Sequence, residues 1–212
     1  VKAFKALDEG DLKTAEPLLA ARLAEKSNDV DALGGMGVLR QQQQRFSEAE
    51  NYLGQATRLP GGAAWQKALN DVRYWSLLSQ ARDAQTAGRS SQARDLAAQA
   101  ERLNPSRADA TVALAGFQAQ DNQFDASEAS YRKVLARNPG DADALNGLIG
   151  VLSQSGRPEE ALKLIDSVSA ADRTKLSSNV KIKALRATQM GKVADQRGDL
   201  KAAQAAYQQA LD

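Results

Sequence analysis

The 212-residue chain has no cysteine and no histidine, and aromatic residues make up only 5% of it. Without cysteine there is no disulfide framework, no thiol chemistry and no thiolate metal site. Without histidine as well, most nucleophile–base pairs and transition-metal ligand sets are excluded. A chain free of thiols suits any compartment and leans toward an extracytoplasmic one, where stray thiols are a hazard. No stretch approaches the roughly 18 consecutive apolar residues that a membrane-spanning helix needs. The net charge is only +2, from 28 basic and 26 acidic residues, so nothing draws the whole chain to nucleic acid or acidic lipid. No run of alternating β-branched residues is present. What remains is rich in alanine, glutamine and leucine, and reads as all-α.

A period organises that composition. Asn104-Pro105 and Asn138-Pro139 stand 34 residues apart. With each proline set at repeat position 32, position 20 reads Ala15, Ala49, Ala93, Ser127, Ala161 and Ala203. Position 8 reads Ala3, Gly37, Ala81, Ala115, Ile149 and Gly191, and position 24 reads Leu19, Leu53, Ala97, Tyr131, Ile165 and Tyr207. Position 15 reads Gly10, Gln44, Gly88, Asn122, Gly156 and Gly198, all suited to a turn except Gln44. Two helices approach closely only where side chains are small, so positions 8 and 20 are expected to meet across a hairpin. Glycine or asparagine at 15 supplies the left-handed residue that ends the first helix. Proline at 32 stops the second. One hairpin cannot bury its apolar face alone, so neighbours stack around a continuous core.

These residues resemble the tetratricopeptide repeat (TPR) family over essentially the whole chain, with the clearest copy running from Gln123-Phe124-Asp125 through Tyr131 to Asn138-Pro139. The resemblance implies an α-solenoid of about six helix-turn-helix units in a right-handed superhelix. Units are placed at 1–29, 30–63, 74–107, 108–141, 142–175 and 184–212. Both terminal units are cut short, which reads as a fragment of a longer array. The chain thus divides into units 1–2 (1–63), an insertion (64–73), units 3–5 (74–175), a second insertion (176–183) and unit 6 (184–212). From Ala63 to Ala87 there is no glycine or proline. The first insertion is therefore read as lengthening a helix by about 15 Å, with a separate helix bending near Asn70-Asp71 as the alternative. Pro60, Gly61 and Gly62, and Ser177 and Ser178, are candidate hinges between stiffer blocks.

No catalytic residue, metal site or cofactor is expected. Asp141, Asp143, Glu159 and Glu160 sit at helix starts, where carboxylates cap the helix and complement its dipole. Gly34-Gly35-Met36-Gly37 reads as close packing inside a helix. Binding is the live possibility. In TPR arrays, positions 2, 5, 9 and 12 line the concave groove. The residues singled out there are Trp75, Leu78, Arg82, Gln85, Asp109, Val112, Asp143, Asn146, Thr188 and Lys192. The lysine, asparagine and arginine clamp by which some TPRs hold a terminal carboxylate is missing. Trp65, Tyr74 and Trp75 fill the irregular junction, or offer faces for a sugar ring or a protein partner. Lys181, Lys183 and Arg186 read as a solvated helix face.

Within the family, Gly198 to Ala203, Gly156 to Ala161 and the irregular spacers resemble the periplasmic repeat region of the TPR component of bacterial cellulose synthase. That likeness implies a non-catalytic scaffold linking an inner-membrane synthase to an outer-membrane pore. Its partners would be proteins of a cellulose synthesis and export complex, with contact to the glucan chain as a further option. The other readings are a general TPR adaptor for an extended peptide and a glycan-guiding module.

Overall fold

The computed structural model describes residues 2–169, 172, 176 and 179–211. Among them there are twelve α-helices and no strand. The first compact unit, Val1–Ser106, contains α1 (Lys2–Asp8), α2 (Leu12–Glu25), α3 (Val30–Gln42), α4 (Phe46–Arg58), α5 (Gln66–Thr86) and α6 (Ser90–Leu103). A 3₁₀ turn, Gly62–Trp65, runs directly into α5. The second unit, Arg107–Asp212, contains α7 (Ala108–Gln120), α8 (Phe124–Arg137), α9 (Ala142–Gln154), α10 (Pro158–Ser167), α11 (Asn179–Gln196) and α12 (Leu200–Leu211). Each unit is a row of three helical hairpins. In the first, α1 and α2 pair, α3 and α4 pair, α5 and α6 pair, and α2–α3 and α4–α5 contacts join neighbours. In the second the pairs are α7–α8, α9–α10 and α11–α12, joined by α8–α9 and α10–α11.

The small-residue positions are where the hairpins close. Ala15, Ala49, Ala93, Ser127 and Ala161 are fully buried, and Ala203 nearly so. Ser127 donates its hydroxyl to the Ala115 carbonyl at 2.7 Å, a direct bond from position 20 to position 8. A methyl group on Gly37 would lie 2.4 Å from Leu53 Cγ and 3.2 Å from the Ala49 carbonyl oxygen. A larger residue at either position would push the helices apart.

All six turns within the hairpins pass through the left-handed region, including Gln44 (φ 59°) and Asn122 (φ 59°). The bonds around them repeat. The Arg45 N–H donates to the Arg40 carbonyl at 2.8 Å, as Arg89 does to Ala84, Gln123 to Gln118 and Arg157 to Leu152. Each satisfies a carbonyl that the helix end would otherwise leave unpaired. Helix starts are capped where the sequence offers an acid: Asp29 accepts from Ala32 N–H at 2.9 Å and Asp141 from Ala144 N–H at 3.0 Å.

Two irregular places bear on the expectations. Of the two arrangements open for the first insertion, the structure has a single 21-residue helix, α5, with no break at Asn70-Asp71. The Pro60-Gly61-Gly62 corner lies inside the first unit, and the compact units divide at Ser106–Arg107 instead. That corner is close-packed: a methyl group on Gly62 would stand 1.9 Å from the Ala56 carbonyl oxygen. The corner expected as a hinge thus packs its backbone against the end of α4. Ser177 and Ser178 lie outside the described residues, as do the side chains of Lys181 and Lys183.

Candidate interaction surface

In the first unit α1 lies beside α3, and in the second α7 lies beside α9. Within each unit these two leading helices therefore lie side by side, the arrangement from which a repeat groove is built. The expected groove residues divide sharply by environment. Arg82 on α5 is exposed and Gln85, one turn on, is half-buried. Trp75 is half-buried, with its ring edge-on to the fully buried Tyr74 at 5.3 Å and 85°. Leu78 is a correction. It has no exposed surface at all, so it belongs to the core. The cause is that α5 is buried around much of its circumference: Leu69, Val72, Tyr74, Ser76, Leu78, Ala81 and Ala84 all face protein. An apolar side chain at that site gains about 2 kcal/mol by burial.

In the second unit Asp109 and Asp143 are exposed, and Val112 and Asn146 half-buried. Asp109 accepts from Arg107 Nε at 3.4 Å, and Val112 packs against the core cluster that includes Ala115, Tyr131 and Leu148. The Tyr131 ring lies across Gly147, where a methyl group would stand 2.1 Å from Cζ. Burial, aided by the nearby Asp143 carboxylate, pushes the Tyr131 hydroxyl above its ordinary pKa. It stays a neutral donor at any physiological pH. Asp143, Asn146 and the Tyr131 hydroxyl thus give this stretch of α8 and α9 an acidic, hydrogen-bonding character.

Thr188 spends its hydroxyl on the Ala184 carbonyl of its own helix at 2.8 Å. Lys192 does not join the α9 residues in the same lining. It borders a polar cleft of about 670 Å³ formed with Arg157, Glu159, Glu160, Lys163 and Gln189. In that cleft Arg157 donates to Glu160 at 2.6 Å and to Glu128 at 2.6 Å. Arg157 is held more strongly protonated by those two bonds, first Glu160 and then Glu128. The Arg157 bond also holds Glu160 below the usual carboxylate range, against a smaller opposing effect of burial. A matching cluster occupies the first unit, where Arg40 donates to Glu16 at 2.8 Å and approaches Glu48 at 3.3 Å.

Residue-by-residue pattern matching does not find these clips, although their signal is in the chain. A glutamate stands at position 21 in Glu16, Glu50 and Glu128, and each pairs with an arginine of the following hairpin: Arg40, Arg73 and Arg157. Nor does it pair Trp65 with its neighbours. The indole lies across Gly34, and the Phe4 ring stacks on it at 6.2 Å and 26°. Among the described residues no cluster of three or more acidic side chains has the arrangement of a metal site. None of the described helices is long and apolar enough to cross a membrane.

A family model for the tetratricopeptide repeat matches residues 6–81 and 119–187, more than half of the chain, and the protein belongs to that family. The protein called cellulose synthase operon protein C in Pseudomonas fluorescens (strain SBW25) is 82% identical over 211 residues, covering 100% of this chain and 16% of its own length. The protein of the same name in Xanthomonas axonopodis pv. citri (strain 306) is 42% identical over 82% of the chain and 11% of its own length. Cellulose synthase 1 operon protein C of Komagataeibacter xylinus is 33% identical over 78% of the chain and 13% of its own. The chain therefore spans about a sixth or less of these relatives. Among solved structures, Pseudomonas aeruginosa pilF aligns with a TM-score of 0.52 at 16% identity over 96% of this chain and 85% of its own. MamA aligns with a TM-score of 0.51 at 19% identity, over 78% and 85%. At those identities the likeness speaks for the fold.

Proposed function

We propose that the chain is a non-catalytic interaction scaffold in the periplasmic part of a cellulose synthesis and export machinery. It is the repeat segment of a longer protein that links the inner-membrane synthase to an outer-membrane pore. The observation that carries this reading is 82% identity across the whole chain to cellulose synthase operon protein C. The physics agrees in kind. Hairpins stacked through small residues give a stiff spacer whose length grows with repeat number. The exposed groove residues, Arg82 in the first unit and Asp109 and Asp143 in the second, are charged and of both signs, which suits an extended peptide or loop more than a smooth glucan face.

A photo-crosslinking residue placed at Arg82 or at Asp143 in the full-length protein tests the reading in cells that secrete cellulose. Adducts with other proteins of that machinery are expected, and a membrane preparation should keep its synthase activity when this segment is deleted while cellulose export falls. Adducts only with unrelated peptides would favour the general adaptor. The glycan-guiding reading is separated by retention of the chain on amorphous cellulose that Trp75→Ala abolishes. Trp65→Ala is the poorer probe, because Trp65 is already committed to contacts within the fold.

A further inference from the structure

We infer that the concave face of the first two hairpins is a seat for one flat aromatic side chain, and that Trp65 of the same chain fills it. Phe4 and Gly34 occupy groove positions 9 and 5 of units 1 and 2, the sites where a TPR presents side chains to a ligand. Here they present themselves to Trp65. A methyl group on Gly34 would lie 2.0 Å from the indole Cε2, so the ring rests directly on the helix backbone. Phe4 forms the side wall, stacked at 6.2 Å with 26° between the planes. Gly35 repeats the device beneath Phe4: a methyl group there would meet Leu19 Cδ2 at 2.8 Å and Phe4 Cε1 at 3.1 Å. Two adjacent glycines thus lower the floor, the Trp65 indole settling over Gly34 and Leu19 together with Phe4 over Gly35.

The insertion supplies the occupant. Its 3₁₀ turn, Gly62–Trp65, ends on the tryptophan. The turn is fixed at its other end by Gly61 in the left-handed region (φ 84°) and by Gly62 against the Ala56 carbonyl. The side chain is also packed against Ala49, Leu53, Leu69 and Val72, so it is aimed by the fold. The ten extra residues therefore lengthen α5 and also close the groove of the hairpins before it. An extended ligand meets an open lining at Arg82 in this unit, and enters over α3 only by displacing the indole. A partner that offers its own exposed aromatic side chain competes for this seat.

Two variants of the intact chain test the inference in a Trp75→Phe background, where Trp65 is the sole indole. Trp65 emission should be blue-shifted and poorly quenched by acrylamide. Gly34→Ala should shift it to the red and raise quenching severalfold. Trp65→Ala in the same background should empty a small apolar cavity of the kind that takes up aromatic solutes. Free indole should then raise its Tm saturably, while leaving the unsubstituted chain unmoved. Unchanged emission in Gly34→Ala overturns the inference, as does a folded Trp65→Ala whose Tm is indifferent to indole. If Trp65→Ala does not fold, the Gly34→Ala emission decides alone.

Discussion

Gln44 offers the sharpest test of the repeat phase, because it is the one turn residue whose chemistry argues against its conformation. Its φ is 59°, in the region that the other turns enter with glycine or asparagine. A Cβ there crowds the following carbonyl at a cost of roughly 1–2 kcal/mol. Gln44→Gly removes that cost but frees the unfolded chain, which takes back about 0.4–1 kcal/mol. The side chain is exposed, so little packing is lost. The net expectation is a gain of about 0.5–1 kcal/mol, or a Tm higher by some 1–4 °C for a chain of this size. Asn122→Gly should gain less, because asparagine tolerates the left-handed region better. Gly88→Gln should lose what Gln44→Gly gains, with φ 73° at that turn. Thermal unfolding of the three variants followed by circular dichroism gives the comparison. A Gln44→Gly protein less stable than its parent would show that residue 44 does not end α3 in a left-handed turn, and the six-unit phase would fall with it.

Ala93→Leu should cost about 1–3 kcal/mol by forcing a hairpin apart, whereas Lys163→Ala on an exposed face should stay within about 0.5 kcal/mol; equal losses in urea unfolding would refute the register. Arg157→Ala should cost clearly more than Lys163→Ala, since it strips the buried Glu128 of a cation while Arg132 stays beside it, and equality in the same assay would mean the clip contributes nothing. On acidification, Glu16 is held below its ordinary pKa by the Arg40 hydrogen bond and Glu160 by Arg157. At Asp29 burial acts upward, but the Ala32 N–H and Arg22 outweigh it and the net shift is downward. Such groups contribute stability above the unfolded carboxylate pKa of about 4, and lose it as pH falls through their lower folded values. The urea midpoint should therefore be flat from about pH 5 to 8 and decline below about pH 4. A step between pH 6 and 7.5 would contradict this, the chain having no histidine.

The legible and illegible parts of the chain divide by range of interaction. Positions 8, 15 and 20 encode a contact within one hairpin, and a period exposes them because the same steric demand returns every 34 residues. Gln44 resists that reading because propensity is local. The turn is imposed from outside by the 2.8 Å bond from Arg45 N–H to the Arg40 carbonyl and by the hairpin that α3 and α4 must close. Position number alone puts Leu78 on the groove, which assumes one buried face per helix. A 21-residue helix flanked by neighbours on several sides does not obey that assumption. Trp65 and Gly34 each stand out in sequence, as an aromatic in an insertion and a glycine inside a helix. Only the three-dimensional path brings one onto the other across 31 positions.

The glutamate clips add a layer of order that the apolar pattern does not contain. Small residues at 8 and 20 fix each hairpin internally, yet an alanine-rich seam between hairpins is smooth and specifies registry poorly. A charged pair spanning the seam is directional. Arg157 reaches both Glu128 of the preceding hairpin and Glu160 of its own, and Arg40 likewise reaches Glu16 and Glu48. Sliding one hairpin past the next would strand a carboxylate that is only 9% exposed at Glu128, or a guanidinium equally buried at Arg40. The penalty for a wrong registry thus exceeds what the exposed ends of these pairs contribute to the right one. The rule is interrupted where position 21 carries Arg94 in the third hairpin and Leu162 in the fifth. In the fifth, the link to α11 is made by other residues, with Arg186 paired to Asp166 and Gln189 donating to Glu159 at 2.8 Å. The third hairpin is the one that closes the first compact unit, and the position-21 glutamate returns at Glu128 in the second.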